Sequence, residues 1–213
     1  VKPSAEPNLF RLCRGEKTTV ENKRTMKFNL FGKRERKPSA DYAGAEKEFL
    51  KALKLTRTDS LRSVIYGTLG DNRQKMEDGP GAYGYYRKGL KYDPDNSMIL
   101  NNYSYYLSEK DEKLSLADKM SEKACELSPN NPTYLDTRAW VLFKLGRYEE
   151  AKTLMQQALA LDQSGSDELF LHYGDILYAL KDNFMAVFYW EKAREKGYDS
   201  EEIDKRLKQV ETK

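Results

Sequence analysis

A chain of 213 residues, 39% hydrophobic and 33% charged, is long enough for one domain with a sizeable core or for a smaller domain with an arm. No apolar run approaches the roughly 18–20 residues that cross a bilayer, and no early segment has the charged-then-apolar build of a signal peptide. The net charge of +3 is unevenly spread: residues 1–40 hold eleven Lys/Arg against four Glu (+7), and the remaining residues hold 26 basic against 30 acidic (−4).

The chain opens at Val1 and not Met, which is compatible with the earlier removal of a leader or anchor. Residues 1–40 read as a basic arm, irregular or a partial first repeat, on a mildly acidic body. Phe28, Phe31 and Gly32 suit a first helix, but Lys33–Pro38 interrupts regular structure and Thr18–Met26 shows no periodicity. Asp41–Leu55 follows as a helix with Ala45, Phe49, Ala52 and Leu55 on one stripe.

Four helix hairpins are then expected, at about 61–94, 97–129, 132–163 and 167–197, making an array over 41–200. The first has Tyr66, Leu69 and Gly70, then Ala82, Tyr86, Gly89 and Leu90, with Asp59 or Ser60 as its cap. Its Gly79-Pro80-Gly81 predicts a late or frayed second helix, Arg73 stands where an apolar residue is expected, and about three residues are extra before Tyr66. The second has Leu100, Ser104 and Leu107, then Ala117, Met120, Ala124 and Leu127, around a turn one residue longer. In the third, Asn131 and Pro132 open a helix bearing Leu135, Ala139 and Leu142. Gly146 breaks it, and a partner follows with Ala151, Met155 and Ala158. The fourth has Phe170, Tyr173, Gly174 and Leu177, then Ala186, Trp190 and Ala193. Over 201–213, Ile203, Leu207 and Val210 predict a capping helix started by Ser200.

The repeat is visible in three in-phase series of small residues. Ala82, Ala117, Ala151 and Ala186 are spaced 35, 34 and 35 apart, as are Gly89, Ala124, Ala158 and Ala193; Gly70, Ser104, Ala139 and Gly174 run at 34, 35 and 35. A helix needs a small side chain wherever a neighbouring backbone crosses closely, so one supersecondary unit has been copied. The expected fold is all-α, a right-handed α-solenoid of antiparallel hairpins.

Leu145-Gly146-Arg147-Tyr148-Glu149-Glu150-Ala151 with Ala158, Leu159 and Leu161 resembles the tetratricopeptide repeat (TPR) family, as do Gly174, Leu177, Ala186, Trp190 and Ala193 and the Pro94 and Pro129 endings. The resemblance covers about 41–197. Leu100–Tyr103, Leu135–Leu142 and His172–Leu177 look like the C-terminal repeats of bacterial cell-envelope TPR proteins. That implies a periplasmic or outer-membrane-associated scaffold, with a cytoplasmic setting as the alternative.

No nucleophile–base pair, metal cluster or phosphate loop stands out, so neither an enzyme nor a cofactor is expected. His172 is the sole histidine and reads as packed or groove-facing. Gly79-Pro80-Gly81 lacks the Gly-Lys-Ser/Thr ending of a phosphate loop. Cys13 and Cys125 form neither a metal spacing nor a disulfide framework, and Cys125 reads as an inert buried thiol.

The resemblance implies a concave groove lined by the first helix of each hairpin. Helical phase then selects Asp71 and Gln74; Met98, Asn101 and Tyr105; Asp136, Trp140 and Phe143; and Leu171, Asp175 and Tyr178. Aromatic rings suit the anchoring of peptide side chains, and aspartates favour a basic or amide-rich segment. TPR domains that clamp a terminal carboxylate carry Lys/Arg and Asn where this chain has Gly67, Asp71, Asn102, Thr133 and Thr137, so an acidic tail is not the expected ligand.

The leading expectation is therefore a non-catalytic adaptor binding protein partners in the groove. RNA binding through the basic arm and tethering to a membrane surface through Lys23–Lys37 are the alternatives.

Overall fold

The computed structural model describes residues 41–211, and among them every regular element is an α-helix. The basic arm and partial first repeat expected over 1–40, with Cys13, lie outside the described residues. The chain divides into two compact units, one ending at Tyr92 and the other starting at Asp93.

The first unit holds α1 (Tyr42–Leu55), α2 (Asp59–Lys75) and α3 (Gly79–Tyr92). Asp41 caps α1 by accepting from the Gly44 amide. Thr58 caps α2, in place of the expected Asp59 or Ser60, which lie inside the helix. The extra residues before Tyr66 lengthen α2 to 17 residues. Phe49, Ile65 and Leu69 form the core here. Leu55 does not join it: it is 81% exposed, because six residues on from Phe49 the helix has turned away and Leu53 packs instead.

The expectation of a late α3 is also corrected. Gly79 starts α3 three residues before Ala82, just as Leu114, Tyr148 and Asn183 precede Ala117, Ala151 and Ala186. Pro80 sits in the first turn, where its missing N–H leaves no bond unmade, and Asp78 accepts from the Gly81 amide at 3.0 Å. Arg73 earns its unexpected place through polar bonds. Its Nε and Nη2 donate to Glu46 Oε1 at 3.0 and 2.7 Å, Tyr85 Oη donates to the same oxygen, and Nη1 donates to Asp78. A nearly buried carboxylate on α1 is thus satisfied from α2 and α3.

The second unit pairs α4 (Ser97–Glu109) with α5 (Leu114–Leu127), α6 (Pro132–Lys144) with α7 (Tyr148–Leu161) and α8 (Asp167–Ala179) with α9 (Asn183–Lys196), followed by α10 (Ser200–Glu211). Asn96, Asn131 and Asp182 cap α4, α6 and α9 with side-chain oxygens.

The turns inside the hairpins repeat one geometry in both units. Glu77, Asp111, Gly146 and Lys181 stand two residues past the first helix, all with left-handed backbone. In each case the next amide reaches back five residues, as Arg147 N–H does to the Leu142 carbonyl at 2.9 Å. Only Gly146 uses the residue that adopts this conformation freely. The longer α4–α5 turn absorbs its extra residue at Lys113, also left-handed.

Ala117, Ala124, Ala139, Ala151, Ala158, Ala186 and Ala193 are fully buried, as close helix crossings require. Asp199, not Ser200, caps α10, accepting from the Glu201 and Glu202 amides. Ile203 of α10 is fully buried against the last hairpin, with Leu207 and Val210 packed beside it.

Candidate partner-binding face

Within the second unit, α4, α6 and α8 lie side by side, and their side chains meet on one face. Tyr105 on α4 donates its hydroxyl to Glu168 Oε1 on α8 at 3.0 Å, reaching across α6. Trp140 on α6 donates its indole N–H to Glu109 Oε1 at 2.6 Å. Its ring stacks on Phe143, with centroids 4.8 Å apart, and on His172, at 4.2 Å. The Lys144 ammonium lies 5.4 Å from the Trp140 ring and pairs with Asp111.

Beneath this shelf, His172 Nδ1 stands 2.8 Å from Asp136 Oδ1, both groups buried. Burial alone would lower the imidazole pKa, but the adjacent Asp136 carboxylate outweighs it and the value is raised. Burial, reinforced by the charges of Glu168, Glu109 and Asp136, pushes the Tyr105 hydroxyl well above its ordinary value.

The residues selected by helical phase fall into different roles. Asp71 and Gln74 belong to the first unit, where Asp71 accepts from Tyr86 Oη at 2.6 Å and Gln74 is half-buried. Met98 is half-buried, and Asn101 is buried with its Nδ2 donating to Asn102. Asp136, Trp140 and Phe143 are packed together with His172, so their rings and carboxylate are inner parts of the face. Leu171 departs from its expected place: it is 3% exposed and lies in the core, while His172 beside it takes the position over Trp140. Asp175 accepts the Trp190 indole N–H at 2.8 Å and a two-pronged bond from Arg206 at 2.7 and 2.9 Å. Tyr178 donates to the Gln209 carbonyl at 3.4 Å. These two residues therefore hold the chain's own α10.

Sequence reasoning did not select Glu109 and Glu168. Both were within reach of it, since Glu109 continues the Met98–Asn101–Tyr105 stripe by one turn and Glu168 precedes Leu171–His172 by one turn.

Among the described residues no group of three or more His, Cys, Asp and Glu is placed to hold a metal ion, and no helix is long and apolar enough to cross a membrane. Cys125 donates its thiol to the Tyr134 carbonyl at 3.3 Å, and burial pushes its pKa up to about 11.

Antiparallel helix pairs recurring every 34–35 residues around buried alanines define a helical-repeat protein of the α-solenoid class. Residues 132–164 match the family described as Tetratricopeptide repeat. It is similar to the TPR repeat-containing protein PA4667 of Pseudomonas aeruginosa, 30% identical over 83 residues; that match covers 39% of this chain and only 14% of the relative. Its fold is similar to that of pilF of Pseudomonas aeruginosa, with a TM-score of 0.64, 22% identity and coverage of 80% of this chain and 77% of the other. It is also similar to the first TPR of Spaghetti (RPAP3) bound to the HSP90 peptide SRMEEVD, with a TM-score of 0.53, 23% identity and coverage of 58% and 97%. At identities below 25% these likenesses to solved structures show the fold.

Proposed function

We propose that this chain is a non-catalytic adaptor that holds a segment of a partner protein against the face formed by α4, α6 and α8. One observation carries the reading. Tyr105, Trp140, Phe143, Glu109 and Glu168 come from three successive first helices onto a common surface, and they hold one another in place by stacking and hydrogen bonds. Such preorganisation lowers the entropy lost when a segment docks. A neighbour of similar fold is bound to a peptide, which supports a peptide-binding role for this fold.

Of the residues selected from sequence, we assign Met98, Asn101, Tyr105, Asp136, Trp140 and Phe143 to this face, with Trp140 and Asp136 shaping it from beneath. Asp71 and Gln74 are candidates for contacts of the first unit. A bacterial cell-envelope setting belongs to the same proposal and rests on the repeat motifs. The RNA and membrane-tether alternatives rest on 1–40, outside the described residues, and nothing in 41–211 favours them.

The test is site-specific photo-crosslinking in the native cell. A benzophenone amino acid at half-buried Tyr105 is expected to give discrete protein adducts, and one at exposed Glu195 on α9 is not. Adducts at Glu195 alone, or equally at both, would remove the face from consideration.

A further inference from the structure

Among the described residues, two carboxylates on this face are met by neutral donors and by no Lys or Arg. Glu109 accepts from the Trp140 indole and Glu168 from the Tyr105 phenol. The nearby Lys144 is already engaged with Asp111, and the His172 ring with Asp136. Burial is the main cause of the raised Tyr105 pKa, and the charges of Glu168, Glu109 and Asp136 add to it.

A second observation is independent of the acidic groups. Asn101, one turn before Tyr105 on the same stripe, is 5% exposed, and its Oδ1 accepts no hydrogen bond. A buried amide oxygen left unmatched calls for a donor. The third observation is an occupant already seated one repeat along. Asp175 stands 35 residues after Trp140 and 70 after Tyr105, and it is held by the Arg206 guanidinium of α10 at 2.7 and 2.9 Å. At that equivalent position the face takes a cation, in forked geometry, from a segment lying over it.

Building on the adaptor reading above, we infer that the face takes a lysine- or arginine-bearing segment of a partner protein. The segment continues from the ground covered by α10 across α6 to α4. Its cation is held by Glu109 and Glu168 beside Tyr105, and a further donor is offered to Asn101. The complementarity is electrostatic and donor-to-acceptor, so it discriminates against acidic segments.

The test is selection of a phage-displayed random dodecapeptide library on the full chain, followed by titration of the most enriched peptide. Enriched sequences are expected to carry at least one Arg or Lys. The Glu109→Gln/Glu168→Gln pair is expected to weaken the selected peptide about tenfold, as loss of a charge-assisted contact does. Glu195→Gln on the outer side of α9 is expected to leave it unchanged, and circular dichroism should show equal helicity in all forms. Acidic or uncharged winners that are lost in Tyr105→Ala would overturn the cationic specificity and leave the adaptor reading intact. Winners that bind the doubly substituted chain as tightly as the parent would overturn it too. No enrichment at all would sink both.

Discussion

Tyr86 lies so close over Gly70 that a Cβ on the glycine would fall 2.3 Å from the ring's Cε1. Trp190 stands over Gly174 in the same way, 2.4 Å from the Cβ position, and each aromatic donates to the aspartate that follows its glycine. In the middle repeats the partners change together: Ser104 and Ala139 take the small position, and Met120 and Met155 the large one. Volume is conserved across each crossing although neither residue is.

Gly70→Ala is therefore expected to destabilise the first unit by about 1–3 kcal/mol, the usual cost of overpacking. Gly84→Ala in α3, where an added Cβ meets nothing within 4 Å, is expected to stabilise the same unit by about 0.5–1 kcal/mol. Urea unfolding of the two variants checks the opposite signs. Equal shifts in one direction would contradict the packing described.

The His172–Asp136 pair predicts how stability depends on pH. The folded pKa of His172 is raised above its ordinary 6.5, so its contribution is complete below that value and is lost as pH rises through the folded pKa. Thermal midpoints of the second unit should therefore fall between pH 6 and pH 9. In Asp136→Asn the imidazole keeps the burial that lowers its pKa but loses its strongest raising partner, leaving only the lesser charges of Glu168 and Asp175, so the pKa drops and the histidine's contribution to the slope should shrink.

Arg206 is the clasp of α10. Its forked bond to Asp175 is largely shielded, the side chains being 22% and 12% exposed. Arg206→Ala should cost about 1–3 kcal/mol locally. Amide exchange over 200–211 should speed up at least tenfold, with α4–α7 unaffected. Arg206→Lys should rescue little, because an ammonium cannot make the fork.

Cys125 should be a sluggish thiol. With a pKa of about 11 it carries roughly a thousandth of its population as thiolate at pH 8, against about a quarter for a free cysteine. In a Cys13→Ser background, iodoacetamide labelling at pH 8 is expected to run about a hundredfold slower than on a model thiol.

The repeat register was legible because small residues at helix crossings have no substitutes. Ala117, Ala151 and Ala186 had to be where the backbones meet, and all three are fully buried. Local capping chemistry was less legible, since Asp59, Ser60 and Ser200 each stand within two residues of the true cap and have the same hydrogen-bonding ability. Gly79-Pro80-Gly81 misled for another reason: residues that break a helix interior are harmless in its first turn. On the candidate face, the stripe that led to Asn101, Tyr105 and Trp140 shows which residues share a side, but not which are reached by neighbours. Thus Leu171 sank into the core and Asp175 and Tyr178 were claimed by α10, contacts that depend on the third dimension alone.

Ile203 occupies the surface on which another hairpin would stack, and Arg206 locks it there. Growth of the array by copying one more repeat onto this end would first require α10 to be evicted. Duplications of internal hairpins meet no such obstacle, so variation in repeat number among proteins built on this plan should accumulate ahead of residue 167 and not behind it.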